Sequence, residues 1–204
     1  FWIILFKTIL SKLYHWKIYV VGSVEYQYPN HLFQAGYFLD KKYYDENTID
    51  FKHLLLSEKN QSLLKDIQNS NSVGVHIRRG DYMTKQNLVI FGNICTQKYY
   101  HDAIRIITEK VNDAVFYVFS DDISWVQTHL DIPNAVYVNW NTGESSIYDM
   151  YLMSSCKYNI IANSTFSYWA ARLNKKTNMV IYPSKWYNTF TPDTVSYTHL
   201  RAHE

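Results

Sequence analysis

The chain has 204 residues, enough for one domain with a sizeable core. Hydrophobic residues make up 47%, charged residues 19%, and Gly and Pro are few, which excludes a disordered or low-complexity chain. A formal net charge of +2 supplies no general attraction to nucleic acid. The two cysteines, Cys95 and Cys156, form no C-x-x-C pair and no disulfide framework. Cys156 lies in an apolar helical run and reads as a reduced core residue, which fits the cytoplasm.

Taken in order, the chain opens at Phe1 rather than Met, which reads as a chain cut at that end. Phe6, Ile9, Leu10 and Leu13 recur at helical spacing, interrupted by Lys7 and Lys12. No uncharged run reaches the roughly 18 residues of a spanning helix. The expectation is a partly buried amphipathic helix, whose other use would be peripheral contact at the inner membrane, then a strand at 17–21. Residues 22–60 read as irregular and aromatic. Within them Gly36, Tyr37, Phe38, Tyr43 and Tyr44 suit either a carbohydrate face or a core. Ser57 is an N-cap candidate for a helix to residue 67 with Leu63, Leu64 and Ile67 on one face.

From residue 73 strands and helices alternate. Strands are expected at 73–77, 114–119, 135–138, 158–161 and 179–182. Helices are expected at 96–110 (capped by Thr96), 124–130, 146–155 and 164–173. This β-α alternation predicts an α/β fold: a Rossmann-type, mostly parallel sheet flanked by helices. Residues 195–204 lack apolar periodicity and resemble the translation of a sequencing-library adaptor, so they are expected to add nothing to the fold.

Three strands end in polar clusters. The run Val73-Gly74-Val75-His76-Ile77 delivers Arg78, Arg79, Gly80 and Asp81 to a sheet edge where α/β proteins bind ligands. Two guanidiniums there suit a phosphate or pyrophosphate, or else an Arg–Asp ion pair. Ser120, Asp121 and Asp122 follow the next strand. They suit a ribose, a base edge or a metal, or simply a helix cap; no His or third carboxylate has spacing for a metal. Asn163, Ser164 and Thr165 open a helix, where free N–H groups favour an anion and N-capping is the plainer use. The three clusters are expected to converge on one site. His31, His53, His101 and His129 read as surface or satisfied core positions.

Together these segments resemble a family. The run from His76 to Tyr82 looks like the first motif of the α-1,2-fucosyltransferases of glycosyltransferase family 11. Phe119 to Asp122 with Trp125 and Val126 resembles the second, and Asp149 to Ser167 the third. Gly36, Tyr37, Phe38, Tyr43 and Tyr44 are similar to an upstream segment of bacterial members. The resemblance implies a GT-B-like, inverting bacterial enzyme of glycan biosynthesis. It would move L-fucose from GDP-fucose to the 2-hydroxyl of a galactose-terminated glycan, with no metal and no cofactor beyond the donor. By the same resemblance, Arg78 and Arg79 grip the pyrophosphate, with His76 and Asp81 in the same pocket. Asp121 and Asp122, after Ser120, face the nucleoside, and Asn163, Ser164 and Thr165 close the phosphate site. Arg78 and Asp81 are the catalytic candidates, Asp81 as general base or as a carboxylate positioning Arg79. Residues 1–60 would be the remnant of an acceptor-side domain and 61–194 the GDP-fucose domain. Two departures stand out. No Gly-Gly-Leu-Gly-Asn-Gln-like segment is present, so part of the first domain is expected to be missing. Tyr168-Trp169-Ala170-Ala171-Arg172 also replaces a run richer in Trp. The alternatives are a non-catalytic GDP-sugar-binding protein and a helix–sheet interaction module.

Overall fold

The structure, a computed structural model, describes residues 19–21, 33–35 and 50–188. The chain divides into two compact units after Thr48. In the first, β1 (Tyr19–Val21) pairs in parallel with β2 (Phe33–Ala35). β2 falls in the stretch read as irregular; three residues are too short to show an alternating pattern. The helix expected near residues 6–13, the aromatic segment 36–44 and the tail 195–204 lie outside the described residues.

The second unit is built on the alternation read from residue 57 onward. Helix α1 (Glu58–Asn69) starts where the Ser57 hydroxyl accepts the Asn60 amide, and it buries Leu63 and Ile67. β3 (Asn71–Ile77) follows, with six of its seven residues buried. A 3₁₀ turn (Gly80–Met83) and α2 (Lys85–Phe91) come next. Helix α3 (Gln97–Lys110), capped by Thr96, turns Tyr100, Ala103, Ile104 and Ile107 inward. Then come β4 (Ala114–Ser120), α4 (Ile123–His129), β5 (Ala135–Val138), a 3₁₀ turn (Gly143–Ser145), α5 (Ser146–Ser154), β6 (Tyr158–Ile160), α6 (Thr165–Leu173) and β7 (Met179–Ile181).

All five of these strands are parallel, in the order β5-β4-β3-β6-β7. Parallel strands sit between two helical layers, which is why β3 and β4 read as nearly unbroken apolar runs. Successive side chains of β3 serve opposite layers. Val73, Val75 and Ile77 join Phe116, Val118 and Ile160 against Tyr100, Ile104 and Ile107 of α3. Gly74 faces the other way. A Cβ there would stand 2.9 Å from Asn159 Nδ2 and 3.0 Å from Met153 Cγ, so its absence lets α5 close on the sheet. Behind that contact Asn159 donates to the Met153 carbonyl, and Asn174 donates to Asn159 Oδ1 and the Cys156 carbonyl.

β4 and β5 build outward from one side of β3, and β6 and β7 from the other. The order therefore reverses between β3 and β6, the crevice where open α/β sheets take ligands at the carboxyl ends of the strands. The division after Thr48 falls earlier than the boundary expected at residue 60. Phe51 is the reason: its ring lies 5.1 Å from that of Tyr151 on α5. Asp50, His53 and Leu54 likewise share a groove of about 500 Å³ with Ile147, Met150, Trp169 and Leu173. Among the described residues no helix is long and apolar enough to cross a membrane.

Candidate functional site

β3 ends at Ile77 and releases Arg78 and Arg79 at the switch point. Both guanidiniums are oriented by carboxylates from the end of β4. Arg78 Nη1 meets Asp121 Oδ2 at 2.8 Å, and the backbone N–H of Arg79 donates to Asp121 Oδ1 at 2.9 Å. Arg79 Nε donates to Asp122 Oδ2 at 3.2 Å, and the Arg79 guanidinium lies 3.6 Å from the Trp125 ring centroid. Asp122 also caps α4, accepting the Trp125 amide at 3.1 Å, while its own N–H donates to Ser120 Oγ. The helix-capping role expected of this carboxylate is present, and its other oxygen holds Arg79. Asp81 pairs with Arg78 Nη2, not with Arg79 as anticipated, because the 3₁₀ turn carries Asp81 back over the first arginine.

Gly80 is required by this packing. A Cβ at that position would stand 2.4 Å from Asp121 Oδ2. The third cluster joins through Tyr82. Its hydroxyl donates to the Asn163 carbonyl at 2.9 Å, its ring stacks on Phe91 at 4.7 Å, and Arg78 lies 5.5 Å from its centroid. The three strand-end clusters thus meet, as their spacing predicts.

They frame a pocket of about 230 Å³. Arg78, Arg79, Asn163, Gln97 and Thr96 supply polar groups, and Ile77, Met83, Leu88, Phe91 and Trp125 supply apolar walls. Several expected donor-site residues stand outside the lining. His76 is buried with its ring 5.0 Å from Phe166, and its Nδ1 has no hydrogen-bond partner among the described residues. Burial, then the Arg78 charge, pull its pKa down to about 3, so the imidazole is neutral. Asn163 lines the pocket, but its amide is turned to the carbonyls of Phe91 and Trp186, so it ties the pocket wall to the chain beyond β7. Ser164 is buried at the start of α6 and makes no side-chain cap, and Thr165 is half-buried. Ser120, Asp121 and Asp122 hold the arginines from behind. Cys95 also lines the pocket, its thiol pushed up to about 12 by burial, against lowering by the Asn163 backbone and Tyr100. That thiol is protonated and poorly nucleophilic.

A second polar cluster lies past the end of β5. Asp149 on α5 accepts from Asn141 Nδ2 at 2.6 Å, and Asn141 and the Trp140 indole N–H both donate to Asn60 Oδ1. Lys59 stands 3.7 Å from the Trp140 ring centroid. Burial pushes the Asp149 carboxyl up to about 7, against the lowering hydrogen bond from Asn141. Among the described residues no group of three His, Cys, Asp or Glu is placed to hold a metal ion.

Tyr82, Gly80, Trp125 and Asp149 carry roles that motif reading alone did not assign. Tyr82 and Trp125 sit close after the arginines or the carboxylates that follow β4, and an aromatic near an Arg is the signal that could have marked them.

A wholly parallel α/β unit whose arginines and apolar-walled pocket face the strand-order reversal has the build of a nucleotide-ligand domain. The profile of glycosyl transferase family 11 matches residues 6–195, and the chain belongs to that family. It is similar to an alpha-1,2-colitosyltransferase of Escherichia coli, 35% identical over 186 residues, which is 84% of this chain and 60% of the relative. The O-antigen biosynthesis glycosyltransferase WbnK of Escherichia coli is 44% identical over 122 residues, 59% of this chain and 40% of that protein. Galactoside alpha-(1,2)-fucosyltransferase 2 of Pongo pygmaeus is 29% identical over 128 residues, 59% of this chain and 37% of its own. The chain therefore spans 60% or less of the length of these relatives. Among solved structures, fucosyltransferase NodZ from Bradyrhizobium superposes with a TM-score of 0.41 at 16% identity, over 61% of this chain and 44% of NodZ.

Proposed function

We propose that this chain carries the donor site of an inverting glycosyltransferase. The reaction moves L-fucose from GDP-fucose to the 2-hydroxyl of a terminal galactose on a bacterial glycan. The observation that carries the reading is the pair Arg78 and Arg79 at the switch point, each aimed by a carboxylate that follows β4. In the transfer the acceptor oxygen bonds to C1 of the sugar and the C1–oxygen bond to GDP breaks. The acceptor proton passes to a carboxylate, and charge develops on the departing diphosphate. The two guanidiniums stabilise that charge, and Asp81, beside Arg78, is the candidate to take the proton. Asp121 and Asp122 hold the arginines in place, Ser120 accepts the Asp122 N–H, and His76 supports the strand end as a neutral group. No metal enters this scheme. Support for the 2-hydroxyl as acceptor comes from the 1,2-linkage in the names of the relatives.

The test is transfer and GDP binding by the intact protein, with fucosyl and colitosyl donors compared, since a relative is named for each sugar. Arg78→Lys and Arg79→Lys keep the charge and lose the planar fork. Each is expected to lower GDP affinity ten- to hundredfold, the worth of about 1.5–3 kcal/mol for one charge-assisted contact. Wild-type affinity and turnover in both would overturn the assignment. GDP binding with no transfer to any galactoside would point to the non-catalytic binder.

A further inference from the structure

The site holds a charge imbalance. Two arginines, Arg78 and Arg79, meet three carboxylates, Asp81, Asp121 and Asp122, so the cluster itself sums to −1. A diphosphate entering such a cluster gains most if one carboxylate gives way. Two of the three are fixed. Asp121 accepts the Arg79 backbone N–H through one oxygen and holds Arg78 Nη1 through the other, packed against Gly80. Asp122 caps α4 and holds Arg79 Nε. Asp81 differs. Its carboxylate touches Arg78 from a 3₁₀ turn that buries no residue, and its side chain is 56% exposed against 27% for Asp121. The turn itself is held through the Asp81 carbonyl, which accepts Asn87 Nδ2 at 2.9 Å and the Thr84 N–H at 3.2 Å. The side chain can therefore rotate while the backbone stays in place.

We propose that Asp81 is an internal competitor for the donor's diphosphate. It occupies Nη2 of Arg78, and the diphosphate replaces it there. Asp121 keeps Nη1 throughout and with it the plane of the guanidinium. The released Asp81 carboxylate then faces the reacting hydroxyl. The inference rests on the reading of the pocket as a diphosphate site and adds an order of events to it: seating the donor is what frees the base.

The sign of one substitution separates this from other roles. Removing the Asp81 charge removes both the competing ion pair and the repulsion of the diphosphate. An exposed pair of this kind is worth up to about 1 kcal/mol, so Asp81→Asn and Asp81→Ala are expected to tighten GDP roughly twofold to fivefold. A base that did not compete would leave GDP affinity unchanged, and a carboxylate that only oriented Arg78 would weaken binding when lost. The experiment is calorimetric titration of the intact protein with GDP, inorganic pyrophosphate and guanosine, using the wild type, D81N, D81A and R78A. The expected result is tighter GDP and pyrophosphate in both Asp81 variants, with guanosine unaltered and transfer reduced. Unchanged or weaker GDP in D81N and D81A, with R78A crippled, overturns the competition and leaves the diphosphate site standing. Wild-type GDP affinity in R78A overturns the site and the competition together.

Discussion

Gly80→Ala puts a single methyl group against the carboxylate that organises both arginines. The Cβ would lie 2.4 Å from Asp121 Oδ2, closer than any real contact of that kind, so the carboxylate must retreat by more than about half an ångström. Asp121 cannot retreat without stretching its bonds to Arg78 Nη1 at 2.8 Å and to the Arg79 N–H at 2.9 Å. Each is a charge-assisted contact worth about 1.5–3 kcal/mol, and loss of one misplaces Arg78 enough to cost roughly ten- to hundredfold in GDP affinity. Stability should fall less than affinity, by about 1 kcal/mol or less, because the disturbed Arg78–Asp121 pair is partly exposed. Gly80 is exposed, the 3₁₀ turn buries nothing, and Gly80 is not among the positive-φ glycines, so alanine strains no backbone. GDP affinity by calorimetry and the melting temperature of the same sample separate the two effects. Wild-type affinity in G80A would show that Asp121 does not position the arginines. A melting temperature that fell in step with affinity would show that the turn is part of the core.

Two further expectations concern stability. Asp149 is an acid whose pKa burial raises to about 7 in the folded chain, so the unfolded chain ionises first and stability falls as pH climbs from about 4 to 7. Asp149→Asn keeps an acceptor for Asn141 and should flatten that slope, with a ceiling of about 4 kcal/mol at pH 8; an unaltered slope in pH-dependent denaturant melts would refute it. Gly143 has φ +59° with open space where a Cβ would stand, so Gly143→Ala should cost about 1 kcal/mol through backbone strain alone, with GDP affinity untouched; an unshifted denaturation midpoint would count against this.

Much of the second unit was legible because its strands and helices announce themselves by burial. β5 lies where apolar residues 135–138 predict it, and α1 and α3 begin at the Ser and Thr that cap them. The convergence of three polar strand ends was legible for the same reason: parallel strands bring all their carboxyl ends to one edge. What could not be read has a physical cause too. Helix α2 and the turn before it bury no residue, so they leave no apolar period in the sequence. The partner of Asp81 depends on a turn that reverses direction within four residues, which spacing cannot encode. His76 looked like a pocket residue beside two arginines, yet its ring turns to Phe166, because strand alternation sends it to the face opposite Ile77. The raised pKa of Asp149 comes from its burial in the folded chain, and no local pattern announces it.

The seam between β3 and β6 has a consequence for how the chain folds. β3 and β4 pair across a crossover through α2 and α3, Asn71 beside Ala114, but the crevice needs Val73 beside Tyr158, with β4, α4, β5 and α5 lying between as well. Closing that long loop sacrifices chain entropy before its contacts are rewarded, which slows the folding of a topology of this kind. The binding crevice exists only where β6 has paired with β3, so binding there is linked to the pairing of strands distant in sequence.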